Sequence, residues 1–147
     1  MVELRPLLTA DKAQWLALRH ALWPDNALDE LKDEVDAYEP GDPKATAIGA
    51  FDGDTLVAFA EASVRPWGDG CDTAPVGWLE GIYVAPAHRS AGIARRLVKA
   101  VENWTREKGL AELGSDALID NTTSIARHGQ WGFEQTKRVV MFRKRLG

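Results

Sequence analysis

The segment from Trp78 to Lys108 constrains the fold most. Trp78-Leu79-Glu80-Gly81-Ile82-Tyr83-Val84 reads as a β-strand and Ala85-Pro86 ends it. Arg89-Ser90-Ala91-Gly92-Ile93-Ala94-Arg95 is a small-residue loop, after which Ile93, Leu97, Val101 and Trp104 recur at helical spacing. Such a helix buries its stripe by folding back on the sheet that the strand belongs to, which predicts an α/β layer. The loop also leaves backbone N–H groups unpaired at the positive end of the helix dipole. Two readings stand: a plain strand-to-helix turn, or a phosphate cradle. In the cradle, Gly92 and Ala94 keep side chains clear and Arg89 adds a charged donor. The loop fits neither G-x-x-x-x-G-K-[ST] nor G-x-G-x-x-G, which argues against nucleoside triphosphate and dinucleotide sites.

The rest of the chain predicts a mixed sheet. Val2–Pro6 reads as a strand, Thr9 as the N-cap of a helix over Ala10–Leu22, and Trp23-Pro24 as its stop. Residues 28–38 read as an acidic helix. Thr46–Phe51 and Thr55–Val64 flank Asp52-Gly53-Asp54 as a hairpin. Val76–Val84 and Ala111–Asp116 are strands, Asp120 is the expected cap of a helix over Asn121–Gln130, and Gly132–Arg145 is expected as a final strand. The order β-α-α-β-β-β-α-β-α-β is expected to form one domain over residues 1–147.

Composition narrows the function. A net charge of −4 disfavours nucleic acid and suits a cationic partner. No apolar run is long enough for a membrane span, and no signal segment is read at the N-terminus. The single Cys71 has no internal partner, so a reducing cytoplasm is the expected compartment. A catalytic thiol is not expected, and His20, His88 and His128 are too scattered for a metal set.

Val84-x-Pro86-x-x-Arg89-x-x-Gly92-x-Ala94 resembles the acetyl-CoA signature of the GNAT superfamily of N-acetyltransferases. Asn121 to Phe133 resembles its second signature, an Asn, a short helix and Gly-Phe. The resemblance implies a GNAT acyl-CoA N-acyltransferase fold whose sheet splays between Val76–Val84 and Ala111–Asp116. It implies acetyl-CoA as cosubstrate, with the backbone of Ile82, Tyr83 and Val84 pairing with the pantetheine arm. Arg89, Ser90, Ala91, Gly92, Ile93, Ala94 and Arg95 would hold the diphosphate, and Asn121 and His128 would add further contacts. A tyrosine that serves as general acid in much of the family is replaced here by His128. That residue reads either as the acid or as a structural or CoA-contact histidine.

Two carboxylates flank the expected cleft. Glu80 interrupts the alternation Val76, Trp78, Glu80, Ile82, Val84, and Asp116 ends the neighbouring strand. Either could take up an ammonium and its proton. Equally, Glu80 could pair with a structural arginine or lie on a wet face, and Asp116 could belong to a turn or cap. An acidic stretch from Asp25 to Asp42 is opposed by Lys32 alone, with Lys44 just beyond it. It would attract cations if it roofs the site.

A narrower set, Ala21-Leu22-Trp23-Pro24, Gly70-Cys71-Asp72, Leu79 to Val84, Ser115-Asp116 and Gly132-Phe133-Glu134, resembles the compact, dimeric aminoglycoside 6′-N-acetyltransferases. By that resemblance Trp23, Trp67, Asp72, Glu80 and Asp116 line the sugar pocket. Lys137 departs from it, since relatives often carry an acid there. The alternative for Trp23 is a staple against the core. The expected activity is acetyl transfer to an aminoglycoside amine. A different cationic amine, or a CoA-binding module without turnover, are the competing readings. Val139-Val140-Met141-Phe142 as a lone last strand predicts a homodimer.

Overall fold

The hairpin read from Asp52-Gly53-Asp54 forms the centre of the sheet. The computed structural model describes every residue from Met1 to Gly147. Its elements are β1 (Val2–Pro6), α1 (Lys12–Leu22), α2 (Leu28–Ala37), β2 (Ala45–Asp52) and β3 (Thr55–Arg65). They continue with β4 (Val76–Val84), α3 (Ile93–Glu107), β5 (Leu113–Gly114) and α4 (Thr122–Gln130). The sheet order is β1-β2-β3-β4-β5; the first four strands pair antiparallel, and β5 is parallel to β4 across the α3 connection.

Helices cover both faces. On one, Ile93, Leu97, Val98 and Val101 of α3 pack on Ala50, Ala58, Ala60 and Ala62, whose small side chains let the helix approach closely. On the other, α1 and α2 supply Trp15 and Val35 to a second cluster with Leu7, Phe51, Leu56 and Phe59. Each cluster is apolar and buried, the expected source of most of the folding free energy. No helix is long and apolar enough to cross a membrane.

Four expectations need correction. Thr9 does not cap α1: it opens a 3-10 turn, and the Asp11 carboxylate takes the Leu8 N–H at 2.7 Å while Arg5 clamps it. The cap of α4 is Asn121, whose side chain accepts from the Ser124 amide at 3.1 Å, rather than Asp120. The strand read over Ala111–Asp116 shrinks to Leu113–Gly114, because only Gly77 and Trp78 of β4 pair with it. No final strand forms over Gly132–Arg145. The apolar run is there, but a strand needs a ladder partner, and this arm finds none in its own chain. Val139, Val140, Met141 and Phe142 are left 59–92% exposed.

Candidate active site

The site begins where two strands part. The β4–β5 ladder holds Gly77 to Leu113 and Trp78 to Gly114 and then ends. From Leu79 to Val84 the β5-facing edge of β4 has no strand beside it. That edge includes Ile82, Tyr83 and Val84, the backbone expected to pair with an extended ligand. On its other edge β4 is bulged. Glu61 faces Gly81 and Ala62 faces Leu79, so Glu80 is the extra residue. The bulge breaks the simple alternation through Glu80 and turns its side chain out of the apolar layer.

At the far end of β4 the loop makes a concentrated donor group. Ser90 and Gly92 both have left-handed backbone, φ 67° and 77°. The amides of Ser90, Ala91, Gly92, Ile93, Ala94 and Arg95 donate to no acceptor in the chain; Arg96 is the first to do so, to the Gly92 carbonyl at 3.2 Å. A Cβ on Gly92 would meet nothing within 4 Å, so the space above the loop is open. Free amides, a helix N-terminus and open space fit a diphosphate. Arg89 donates through Nε to the Val84 carbonyl at 2.8 Å and lies over the Tyr83 ring. One edge of its guanidinium therefore ties the loop to β4.

On the opposite side of β4, α1, α2, β2 and β3 border an open cavity of about 590 Å³. Trp23 and Glu80 line it, with Glu34, Asp42 and Glu61 adding carboxylates and Arg19 the one basic side chain. Trp23 packs against Gly81, where a Cβ would come within 2.7 Å of its ring. It is held from behind by Arg19, 5.0 Å from the ring centre. Arg19, only 4% exposed, bonds Glu61 at 2.8 and 3.1 Å, Glu34 at 2.6 Å and the Leu31 carbonyl at 3.0 Å. The Trp15 indole N–H completes the shell of Glu61 at 2.9 Å. Burial pushes the Glu61 carboxyl up, against the pull of Arg19 and Trp15.

Glu80 is held as well. Arg65 grips both carboxylate oxygens, at 3.0 and 2.6 Å, and the Ser63 hydroxyl donates to one of them at 2.5 Å. The structural-arginine reading of Glu80 is therefore realised in geometry, at the rim of a cavity lined by apolar and acidic residues. Hydrogen bonding to Glu80 holds the Arg65 guanidinium above its usual value, and the Asp116 charge adds to the effect. Arg65 in turn lies 4.5 Å from the Trp78 ring centre. Asp116 itself is exposed, makes no ion pair and lies outside the cavity lining.

Other expected residues lie apart from the cavity. Trp67 is 66% exposed on the loop before β4. Asp72 is exposed, and its amide and that of Thr73 donate to the Glu112 carboxylate at 2.9 and 2.6 Å. Neighbouring Cys71 has its thiol pushed up by burial and by Glu112 and Asp72, which makes it a poor nucleophile. Asn121 spends its side-chain oxygen on the α4 cap. His128 bonds Ser115 at 2.8 Å and the Ser124 carbonyl at 2.7 Å. Residue reasoning missed Ser63, Arg65, Arg19 and Glu61. The signal was present on β3, where Glu61, Ser63 and Arg65 alternate along one face beside Glu80.

A bulged strand that parts from its parallel neighbour, with free amides at one end and carboxylates at its flank, is a site for an extended anionic ligand beside a cationic one. The chain belongs to the Acetyltransferase (GNAT) family, whose sequence model matches residues 13–133. It is 40% identical over 146 residues to an aminoglycoside N(6′)-acetyltransferase type 1 of Klebsiella aerogenes, covering 97% of this chain and 95% of that one. A protein of the same description from Serratia marcescens is 43% identical over 136 residues, covering 90% and 92%. Among solved structures, AAC(6′)-Iy in complex with the bisubstrate analogue CoA-S-monomethyl-acetylneamine superposes with a TM-score of 0.92. It is 35% identical, and the match covers 99% of both chains. AAC(6′)-Ih from Acinetobacter baumannii gives 0.90 at 36% identity over the whole of both chains.

Proposed function

We propose that this chain acts as a single domain that transfers the acetyl group of acetyl-CoA to the 6′-amine of an aminoglycoside. The observation that carries the reading is the near full-length likeness to enzymes of that description, on a cleft of matching chemistry. When bound, acetyl-CoA supplies an acyl group activated as a thioester. The amides of Ser90 to Arg95 hold the diphosphate, and the open edge of β4 orients the pantetheine arm. Backbone N–H groups near Ile82 and Tyr83 steady the oxyanion that forms on attack.

The polycationic sugar enters the carboxylate-lined cavity, with Trp23 as a flat wall and Glu34 and Asp42 at its sides. Glu80 and Asp116 orient the acceptor's ammonium beside Arg65, and one of them, directly or through water, relieves it of a proton so that the neutral amine can attack. Trp67 and Asp72 extend the sugar site along the loop before β4. Asn121 and His128 border the CoA side. The enzyme works in the cytoplasm, without nucleic acid, membrane or metal. It works as a homodimer, in which the exposed arm at Val139–Phe142 supplies a strand to a second copy.

The experiment is thiol release from acetyl-CoA with kanamycin, tobramycin, spermidine and a peptide offered side by side. Preference for the two aminoglycosides is expected. Spermidine or peptide as the better acceptor would replace the substrate, and no turnover with any amine would leave a CoA-binding module. Glu80→Ala and Asp116→Ala are expected to lose activity while retaining CoA binding. Mass in solution at micromolar concentration tests the dimer, and a monomer contradicts it.

A further inference from the structure

A hydroxyl–imidazole pair stands at the point where β4 and β5 part, and the roles given to Glu80 and Asp116 leave it unused. Ser115 is the first residue beyond the β4–β5 ladder. Its hydroxyl lies 2.8 Å from His128 Nε2 and 3.4 Å from the Leu79 carbonyl. On the other side of the ring, Nδ1 lies 2.7 Å from the Ser124 carbonyl. A carbonyl only accepts, so Nδ1 carries a proton, and the ring in its neutral form offers the Nε2 lone pair to Ser115. The Trp131 and Phe133 rings, each 5.2 Å away centre to centre, hold the imidazole in place. The Ser124 hydroxyl, 3.4 Å from Nδ1, is the other polar side chain at the ring, and no ion pair includes His128.

Ser115 therefore has one hydrogen and two acceptors within reach. Passing that hydrogen to Nε2 frees its oxygen to take another from the cleft. The last turn of α4, where His128 sits, suits a transient positive charge because the helix dipole is negative there.

We propose that Ser115 is a catalytic residue and His128 its positioning partner, together forming a proton relay for acyl transfer. The inference rests on the acetyltransferase reading. The new C–N bond leaves a proton on nitrogen, and Ser115 takes it as its own hydrogen passes to His128 Nε2. The C–S bond then breaks and the electron pair stays on sulfur. The thiolate takes the hydrogen of Ser115, which is refilled from Nε2. The net change is one proton moved from nitrogen to sulfur, with serine and histidine restored.

The test compares wild type, Ser115→Ala, Ser115→Thr, His128→Gln and the Ser115→Ala/His128→Gln double variant, using acetyl-CoA and the best amine of the panel. Ser115→Ala is expected to lower kcat about 100-fold, the range of general acid–base effects, with KM for acetyl-CoA within about twofold. Ser115→Thr restores most of the loss. His128→Gln falls similarly, and the double variant is no worse than Ser115→Ala alone. Without any ligand, imidazole ¹⁵N NMR should show the Nδ1–H tautomer, with Nε2 shifting in Ser115→Ala. Unchanged kcat in folded Ser115→Ala, losses that multiply in the double variant, or an Nε2–H tautomer would overturn the relay. A wild type that turns over no amine defeats the functional reading instead, while the NMR result still decides the pairing.

Discussion

The two ends of the cleft are built from different materials. Around α3 the site is backbone: amides from Ser90 to Arg95, free because a helix starts there, in a loop with open space above Gly92. Around α1 and β3 the site is side chain: Arg19 bound to Glu61 and Glu34, and Arg65 bound to Glu80, each group depending on another's charge. On the proposed function, a backbone cradle would grip what every CoA ester shares, its diphosphate. A charge network is free to vary, residue by residue, with the amine it receives.

The contrast breaks most sharply at Arg19. Arg19→Ala strands the buried Glu61 carboxylate, and loss of one partner of a buried pair costs roughly 3–5 kcal/mol. Denaturant unfolding should show that loss, and a change under about 1 kcal/mol, the worth of an exposed ion pair, would mean that the network is wetter than its geometry.

A smaller effect separates the two ends by kinetics. Gly81→Ala drives a Cβ into the Trp23 ring at 2.7 Å. Displacing that ring should raise the acceptor KM roughly tenfold, about 1.4 kcal/mol of lost binding, beside a folding cost of about 1–3 kcal/mol. KM for acetyl-CoA should hold, and a matching rise in both would mean that the two ends are not independent.

The smallest effect is on the loop before β4. Hydrogen bonds from Thr73, and the amide of Asp72, hold the Glu112 carboxyl below its usual range. A depressed folded value means that this clamp contributes fully above the unfolded pKa of about 4.3, and is lost as pH falls through the lower folded value. The protection factors of the Asp72 and Thr73 amides, with intrinsic exchange divided out, should therefore fall on acidification below that range and show no such fall in Glu112→Gln.

The same contrast explains what could be read from the chain. Gly, Pro and periodic apolar residues specify backbone, so the hairpin, α3 and the amide loop were legible. Side-chain networks leave weaker traces. Glu80 was visible as an intruder in a strand, but the bulge that turns it toward Arg65 depends on β3 register, and Arg65 lies fifteen positions away. The expected last strand failed for a related reason. Val139 to Phe142 carry strand character, and pairing is a property of a neighbour that the sequence of one arm does not contain.

The most direct test of the backbone cradle is calorimetric titration of the wild-type protein with CoA and with pantetheine, which lacks the diphosphate. If amides from Ser90 to Arg95 hold the diphosphate, CoA should bind at least about 100-fold more tightly, since two charge-assisted hydrogen bonds suffice for that factor. Equal affinities, or no heat with CoA, would contradict it.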